Sequence, residues 1–371
     1  MIPNRKIRVL VVDDSALVRR AITDALNADP GLEVVGTACD PYVARDKIKA
    51  LQPDVLTLDM EMPRMDGLTF LRILQERHPI PVVVVSSVTT AGSKLALEAL
   101  EAGAVEVLAK PNSAYSLGEI RHQLARSVKT AALATLGNLR RPTASRSPGA
   151  GVVAMRAVGV NANQLVCIGA STGGTEAIKQ VLTQLPENMP GICIVQHIPP
   201  VFSRAFAERL NELCALEVRE AVHGDELRPG LALIAPGDFH MTVAQAAGRY
   251  RVSLNQGPAL HHTRPAVDVL FNSVAACAGR HAVAVVLTGM GSDGAQGMRK
   301  LKEAGAATIA QNEATCVVYG MPQAAVALGV VDRVLPLEKI SEAIMKQLQC
   351  GAAPDSGTRL APSDVALTKN Y

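Results

Sequence analysis

The chain has 371 residues, of which 48% are apolar, 19% charged and 3% aromatic. At roughly 150 residues per domain, this predicts two domains plus connecting material, each able to bury a core without disulfides or a structural metal. The 37 Lys and Arg against 34 Asp and Glu leave a net charge of +3, and there is no Trp and only five Tyr and five Phe, which excludes a nucleic-acid binder that works by blanket charge or by base stacking.

In chain order, short buried apolar runs fall at Ile7 to Val12, Leu32 to Ala38, Val55 to Leu58, Pro81 to Ser86 and Val105 to Leu108, with helical patterns such as Ala16 to Leu26 and Leu68 to Gln75 between them. Five strands alternating with helices predict parallel βαβ units in a doubly wound sheet. From Ile120 to Thr175 there is no Asp or Glu, while Arg121, Arg126, Lys129, Arg140, Arg141, Arg146 and Arg156 supply cations. The stretch Arg140 to Gly151 carries Pro, Gly and Ser without a period, so residues 126–163 are expected to form a basic linker. A second α/β block restarts at Leu165, with strands at Ile192 to Val195, Leu231 to Ala235, Tyr250 to Leu254 and Ala282 to Leu287. Its helices are expected at Thr175 to Leu185, Ser203 to Leu213 and Ala266 to Ala278, with a hairpin around Gly248. The catalytic block is expected to span 164–348, and residues 349–371, which have no clear period, read as a tail. Seven widely spaced cysteines suit a reducing compartment, and no apolar run approaches a membrane span. A soluble cytoplasmic protein without membrane insertion is therefore expected.

Three carboxylates follow two strands of the first block, Asp13 and Asp14 after the first and Asp59 after the third. In an open parallel sheet these ends converge at one crevice. Carboxylates held together repel one another unless a cation joins them, and an oxygen-only donor set favours Mg2+. Ser86 and Lys110, after the fourth and fifth strands, complete a rim able to hold phosphoryl oxygens. Taken alone, Asp14 and Ser15 read as helix N-caps. The set as a whole, with Val-Val-Asp-Asp-Ser, Asp59-Met-Glu-Met-Pro-Arg-Met-Asp-Gly67 and Lys110-Pro111, resembles the receiver domain of response regulators. The resemblance implies a flavodoxin-like receiver with a five-stranded parallel sheet over residues 1–125. It further implies Asp59 as phospho-acceptor, Asp13, Asp14, Asp59 and the Glu61 carbonyl around Mg2+, and Ser86 and Lys110 as switch residues. Val107 stands where receivers usually carry Tyr or Phe.

In the second block, Gly169-Ala-Ser-Thr-Gly-Gly174 follows a strand and opens a helix, a sharp turn that exposes Ser171 beside helix N-terminal N–H groups. Such a turn also serves to bind a phosphate or to pack tightly. His197 follows the next strand within reach of Ser171, as a base would. Asp293 lies in Thr288-Gly-Met-Gly-Ser-Asp-Gly294 after a further strand, placed either to orient the imidazole or to cap a helix. The order Ser, His, Asp differs from that of ordinary α/β-hydrolases. His261 and His262 could form a metal pair, but adjacent strand residues face opposite ways and no third ligand is evident.

Receiver, linker and triad, with Gln196-His-Ile-Pro-Pro, Ala235-Pro-Gly-Asp, Arg264-Pro-Ala-Val-Asp-Val-Leu-Phe and Tyr319-Gly-Met-Pro, resemble the chemotaxis response-regulator protein-glutamate methylesterases over residues 7–111 and 165–345. The resemblance implies a doubly wound catalytic domain needing no cofactor, with Ser171 as nucleophile, His197 as base, Asp293 as orienting acid and the Met290 N–H as oxyanion donor. It implies phosphorylation-regulated demethylation of methyl-accepting chemotaxis receptors, deamidation of receptor glutamines, and a chemotaxis histidine kinase as phosphodonor. Asn312 replaces an Asp common in the family. The rival readings are a non-catalytic partner-binding module and a serine hydrolase acting on another substrate.

Overall fold

The computed structural model describes residues 5–87, 89–110, 117–139 and 163–350. In the first half the strands β1 (Ile7–Val12), β2 (Leu32–Ala38), β3 (Val55–Asp59), β4 (Val82–Ser86) and β5 (Glu106–Ala109) alternate with α1 (Ala16–Asn27), α2 (Pro41–Leu51), α3 (Gly67–Arg77) and α4 (Thr90–Glu101), and α5 (Leu117–Ala132) follows β5. β3 and β4 are buried along their whole length, because a parallel strand between two helical layers has no solvent face and its sequence is a continuous apolar run. Side-chain caps start the helices: Ser15 accepts from Val18 N, Asp40 from Tyr42 N and Val43 N, and Asp66 from Thr69 N. The strand order β2-β1-β3-β4-β5, parallel throughout, is the flavodoxin-like one and puts the ends of β1 and β3 side by side.

Residues 126–132, expected as linker, instead form the last turns of α5. Val128 and Ala131 are fully buried in the receiver core, and Lys129 Nζ pairs with Asp29 Oδ2 at 2.7 Å. The short helix α6 (Leu136–Leu139) follows. The Arg140 to Gly151 stretch and the expected tail beyond 350 lie outside the described residues.

The second half is built on β6 (Leu165–Ala170), α7 (Gly174–Leu182), β7 (Gly191–Gln196), α8 (Pro200–Leu213), β8 (Glu217–Glu220), β9 (Glu226–Leu227), β10 (Leu231–Ile234), β11 (His240–Ala246) and β12 (Arg249–Asn255). It continues through α9 (Val267–Cys277), β13 (Ala282–Val286), α10 (Ala295–Glu303), β14 (Ala307–Gln311), α11 (Met321–Ala327), β15 (Arg333–Leu335) and α12 (Ile340–Cys350). Seven parallel strands form one sheet in the order β15-β14-β13-β6-β7-β10-β8, and β11, β12 and β9 form a small antiparallel sheet. The expected hairpin is β11–β12, turned by Ala247 and Gly248, both at positive φ. β8, β14 and β15 escape the sequence reading because they are short or carry few β-branched residues: β8 is Glu-Val-Arg-Glu and β15 has three residues. β6 is central and is flanked by β7 on one side and β13 on the other, so the loops leaving these three strands share one edge.

The two halves pack against each other. Leu97 on α4 is buried in the core of the second half, and Phe202 on α8 is buried in that of the first. At the rim, Glu101 Oε1 meets Lys179 Nζ at 3.5 Å and Arg209 Nε at 3.4 Å. On the other side of the interface Val317 and Val318 join the receiver's α1 and α5 cluster, Thr135 N donates to Val317 O at 2.9 Å, and Asn138 Nδ2 donates to Cys316 O at 2.8 Å. Among the described residues no helix is long and apolar enough to cross a membrane.

Candidate functional site

Two constellations form at strand ends. In the receiver, Asp13 and Asp59 are each only 1% exposed, Asp14 is exposed, and carboxylate oxygens of all three lie within 4.8 Å of one another. Lys110 Nζ reaches Asp59 Oδ2 at 2.7 Å and Asp13 Oδ2 at 3.1 Å. The remaining oxygens are held by the backbone: Asp13 Oδ1 accepts from Ser15 N and Asp59 Oδ1 from Glu61 N. Burial, assisted by the Asp13 charge, pushes the Asp59 carboxyl above the usual carboxylate range against the pull of Lys110. Burial works against the Lys110 ammonium, but its contacts with Asp59 and Asp13 prevail and hold it above its ordinary value. The Oδ2 atoms of Asp13 and Asp59 are buried, and their one close partner among the described residues is the shared Lys110 ammonium. Two buried carboxylates that share one ammonium, beside the exposed Asp14, make an oxygen donor set with excess negative charge that fits a hard divalent cation. Ser86 lies at the end of β4, where its Oγ donates to Gly92 O at 3.4 Å. Val107 is buried in the sheet's core with no aromatic ring to rotate, and the Glu61 carboxylate accepts from Ser87 Oγ at 2.6 Å.

In the second half, Ser171, His197 and Asp293 come from the loops after β6, β7 and β13. His197 Nδ1 lies 3.1 Å from Ser171 Oγ, and His197 Nε2 lies 2.8 Å from Asp293 Oδ2. A carboxylate only accepts, so Asp293 fixes the proton on Nε2 and leaves the Nδ1 lone pair for the serine hydroxyl. Asp293 is 2% exposed and is held by two amides, Val267 N to Oδ2 at 2.7 Å and Asp268 N to Oδ1 at 2.8 Å. Burial opposes its charge, yet the His197 contact and these two amides hold its carboxyl below the usual range. The possibility that Asp293 merely caps the helix after it is not what forms: the N-cap of α10 is Gly294, and Asp293 turns to His197.

Glycines permit the turn that carries Ser171. Gly173 caps α7 at φ 76°, and a Cβ on Gly289 would lie 2.6 Å from the Ser171 Cβ. Ser171 N donates to Thr288 O at 3.0 Å, and Gln196 Nε2 clamps Ser171 O at 2.8 Å. Within the described residues the Met290 amide enters no hydrogen bond, which leaves it free to donate to an oxyanion, and its side chain is 41% exposed. Asn312 uses its amide oxygen to cap the turn before Cys316, accepting from Thr315 N and Oγ1, so the shape expected of an Asp there is kept.

Residues missed in the sequence gather around this triad. His261 and His262 are in a turn closed by Leu260 and Thr263, both histidines at positive φ, so the alternation argument used to set them aside does not apply. His261 Nε2 lies 2.9 Å from Asp268 Oδ2 and 3.9 Å from Asp293 Oδ1, and Thr263 Oγ1 lies 3.4 Å from His197 Nε2. The receiver also reaches in: Glu106 on β5 comes up to Thr172, next to the nucleophile, and desolvation at this interface raises its carboxyl above the usual range.

A family model described as CheB methylesterase matches residues 166–344, and one described as response regulator receiver domain matches residues 9–121. The chain is 51% identical over 343 residues to protein-glutamate methylesterase/protein-glutamine glutaminase 2 of Syntrophus aciditrophicus, which covers 92% of this chain and 99% of that one. It is 49% identical over 350 residues to the protein-glutamate methylesterase/protein-glutamine glutaminase of Escherichia coli O6:H1, covering 94% and 99%. Among solved structures, the Thermotoga maritima CheB methylesterase catalytic domain shares 40% identity, covers 50% of this chain and 99% of that one, and has a TM-score of 0.49. About half of the residues are identical to relatives matched over nearly their whole length, and the chain belongs to the protein-glutamate methylesterase/protein-glutamine glutaminase family, with a receiver domain and a CheB methylesterase domain on one polypeptide.

Proposed function

We propose that this chain hydrolyses glutamyl methyl esters on methyl-accepting chemotaxis receptors, deamidates particular receptor glutamines, and is switched by phosphorylation of its receiver. The observation that carries the reading is the hydrogen-bonded line Ser171, His197, Asp293 beside the free Met290 amide. Ser171 Oγ attacks the ester carbonyl and its proton passes to His197 Nδ1. Asp293 stabilises the resulting imidazolium, and the Met290 N–H donates to the oxyanion. His197 then returns the proton to the departing methoxide, giving methanol and an acyl-serine, and water activated by the same imidazole releases the carboxylate. For a glutamine side chain the leaving group is ammonia and the product is the same carboxylate. None of these steps calls on a cofactor in the catalytic domain.

Asp59 is the residue proposed to accept the phosphoryl group, with a chemotaxis histidine kinase as donor. Asp13, Asp14, Asp59 and Glu61 would hold Mg2+, which would supply charge neutralisation for the incoming phosphoryl group. Lys110 would hold a phosphoryl oxygen, as would Ser86 once its hydroxyl leaves Gly92. Residues 1–132 are proposed as the receiver unit and 163–350 as the catalytic unit, acting in the cytoplasm. The test is methanol release from methylated receptor membranes by wild type and Ser171→Ala in parallel. Release by wild type alone is expected, and equal release by the variant would refute the assignment.

A further inference from the structure

Next to the triad lies a second, smaller constellation that the reaction as written does not use. Asp268, in the first turn of α9, is 2% exposed, and its Oδ1 accepts from Gly297 N at 2.7 Å while its Oδ2 accepts from His261 at 2.9 Å. Its own amide donates to Asp293. Two buried carboxylates thus stand side by side, with ligand atoms of Asp268, Asp293 and His261 within 4.8 Å of one another. Buried like charges this close repel, and a positive charge placed between them offsets that cost. Among the described residues no Lys or Arg pairs with either, and the only ion-pair partners are His197 on Asp293 and His261 on both. The nearby Arg264 is engaged by Asp238 at 2.6 Å and by the carbonyl of Gly257. The turn Leu260 to Thr263 is closed by backbone hydrogen bonds in both directions, which aims the His261 ring at the pair.

We infer that His261 is a positioning residue which, as an imidazolium bridging Asp268 and Asp293, cancels one of two buried charges and keeps Asp293 ionised toward His197. This rests on the triad reading above. It requires that the charge of His261, and not only its hydrogen bond, sets the protonation of the Asp268–Asp293 pair. The groups facing the ring are Asp268 from α9, Asp293 from the loop after β13 and His197 beyond it, so the result of losing the charge has one sign. An uncompensated second carboxylate favours proton uptake at the pair and at His197 alike, and both disable the base as the pH falls.

The full-length protein is labelled at Ser171 with a fluorophosphonate across a pH series, and methanol release from methylated receptor membranes is measured in parallel. His261→Gln keeps a donor for Asp268 but cannot carry a charge. Its acid limb is expected to move up by about one pH unit, slowing labelling about tenfold on the acid side. Adding Asp268→Asn removes the excess charge while leaving an oxygen for Gly297 N, and the double variant is expected to return the acid limb to the wild-type position. A His261→Gln profile that keeps the wild-type acid limb, or a double variant displaced as far as the single one, would overturn the inference. Failure of wild type to label would overturn the triad itself, whereas labelling without methanol release would refute only the substrate.

Discussion

If the receiver restrains the catalytic site by packing against it, weakening that packing should raise activity without phosphate. Leu97 is the cleanest place to test this. It sits on α4 of the receiver, is 9% exposed, and its neighbours in the core belong to the catalytic half, so truncation cuts interface contacts and leaves Ser171 untouched. Burying a leucine side chain is worth about 1.5–3 kcal/mol. Taking about 2 kcal/mol for Leu97→Ala, the closed-to-open ratio falls roughly 30-fold at about 1.4 kcal/mol per tenfold. Alanine is the better helix former, so α4 itself is not weakened. Methanol release from methylated receptor membranes by unphosphorylated protein should therefore rise toward, and not beyond, the rate of a 163–350 fragment, while stimulation by phosphorylation shrinks by the same factor. Thermal unfolding should stay cooperative for the catalytic half. An unphosphorylated rate equal to wild type, with the interface shown to be loosened by faster proteolysis after Leu139, would refute restraint by docking and leave the receiver a targeting role.

Other perturbations read separate parts of the machine. Ser171→Ala should abolish turnover with little change in melting temperature, since a half-buried hydroxyl whose side-chain partner is His197 adds little to stability; the check is calorimetry beside the methanol assay. Asp59→Asn should remove labelling by acetyl phosphate, and in wild type the label should vanish in excess chelator; persistence in either arm counts against the carboxylate site. Gly289→Ala, whose Cβ would collide with Ser171 and with Met321 Sδ at 2.5 Å, should cost at least 100-fold in kcat, and wild-type kinetics would show that the turn can move aside. Glu106, its carboxyl raised by desolvation, favours the folded interface when protonated, so its contribution is present below the ordinary carboxylate range and is lost as the pH rises through the raised value. Glu106→Gln should accordingly raise the melting temperature at neutral pH and leave it unchanged in acid, and an unchanged melt at both would place Glu106 outside the energetics of closure.

Much of both sites could be read from the chain because parallel strands buried on both faces are nearly continuous apolar runs, and chemistry collects where those runs stop. Asp13, Asp59, Lys110, Ser171 and His197 each stand at or within two residues of a strand end. Asp293 lies seven residues past the end of β13, in the glycine-rich loop that the strand feeds, and its position there could not separate a cap from a triad member. That choice depends on which way the carboxylate turns, and Val267 N, Asp268 N and the His197 ring decide it. α5 shows the opposite failure. Its last turns share the basic, acid-free composition of the segment after them, and only burial of Val128 and Ala131 assigns them to the receiver.

The harder limit concerns residues whose neighbours come from another domain or from a turn of left-handed residues. Leu97 has the spacing of any receiver-core leucine, and nothing in α4 says that its face will be covered by α7 and α8. Glu106 is the one polar residue inside the run Val105 to Leu108, and its neighbour Thr172 lies 66 positions away in the other half. His261 was judged by strand alternation, a rule that holds only for extended backbone, whereas at φ 53° and 59° the two histidines lie outside its domain. In each case the missing information is the direction in which a side chain leaves the backbone relative to a distant segment. Periodicity records direction only within one element, so contacts that couple the receiver to the triad are the ones a single sequence leaves unwritten.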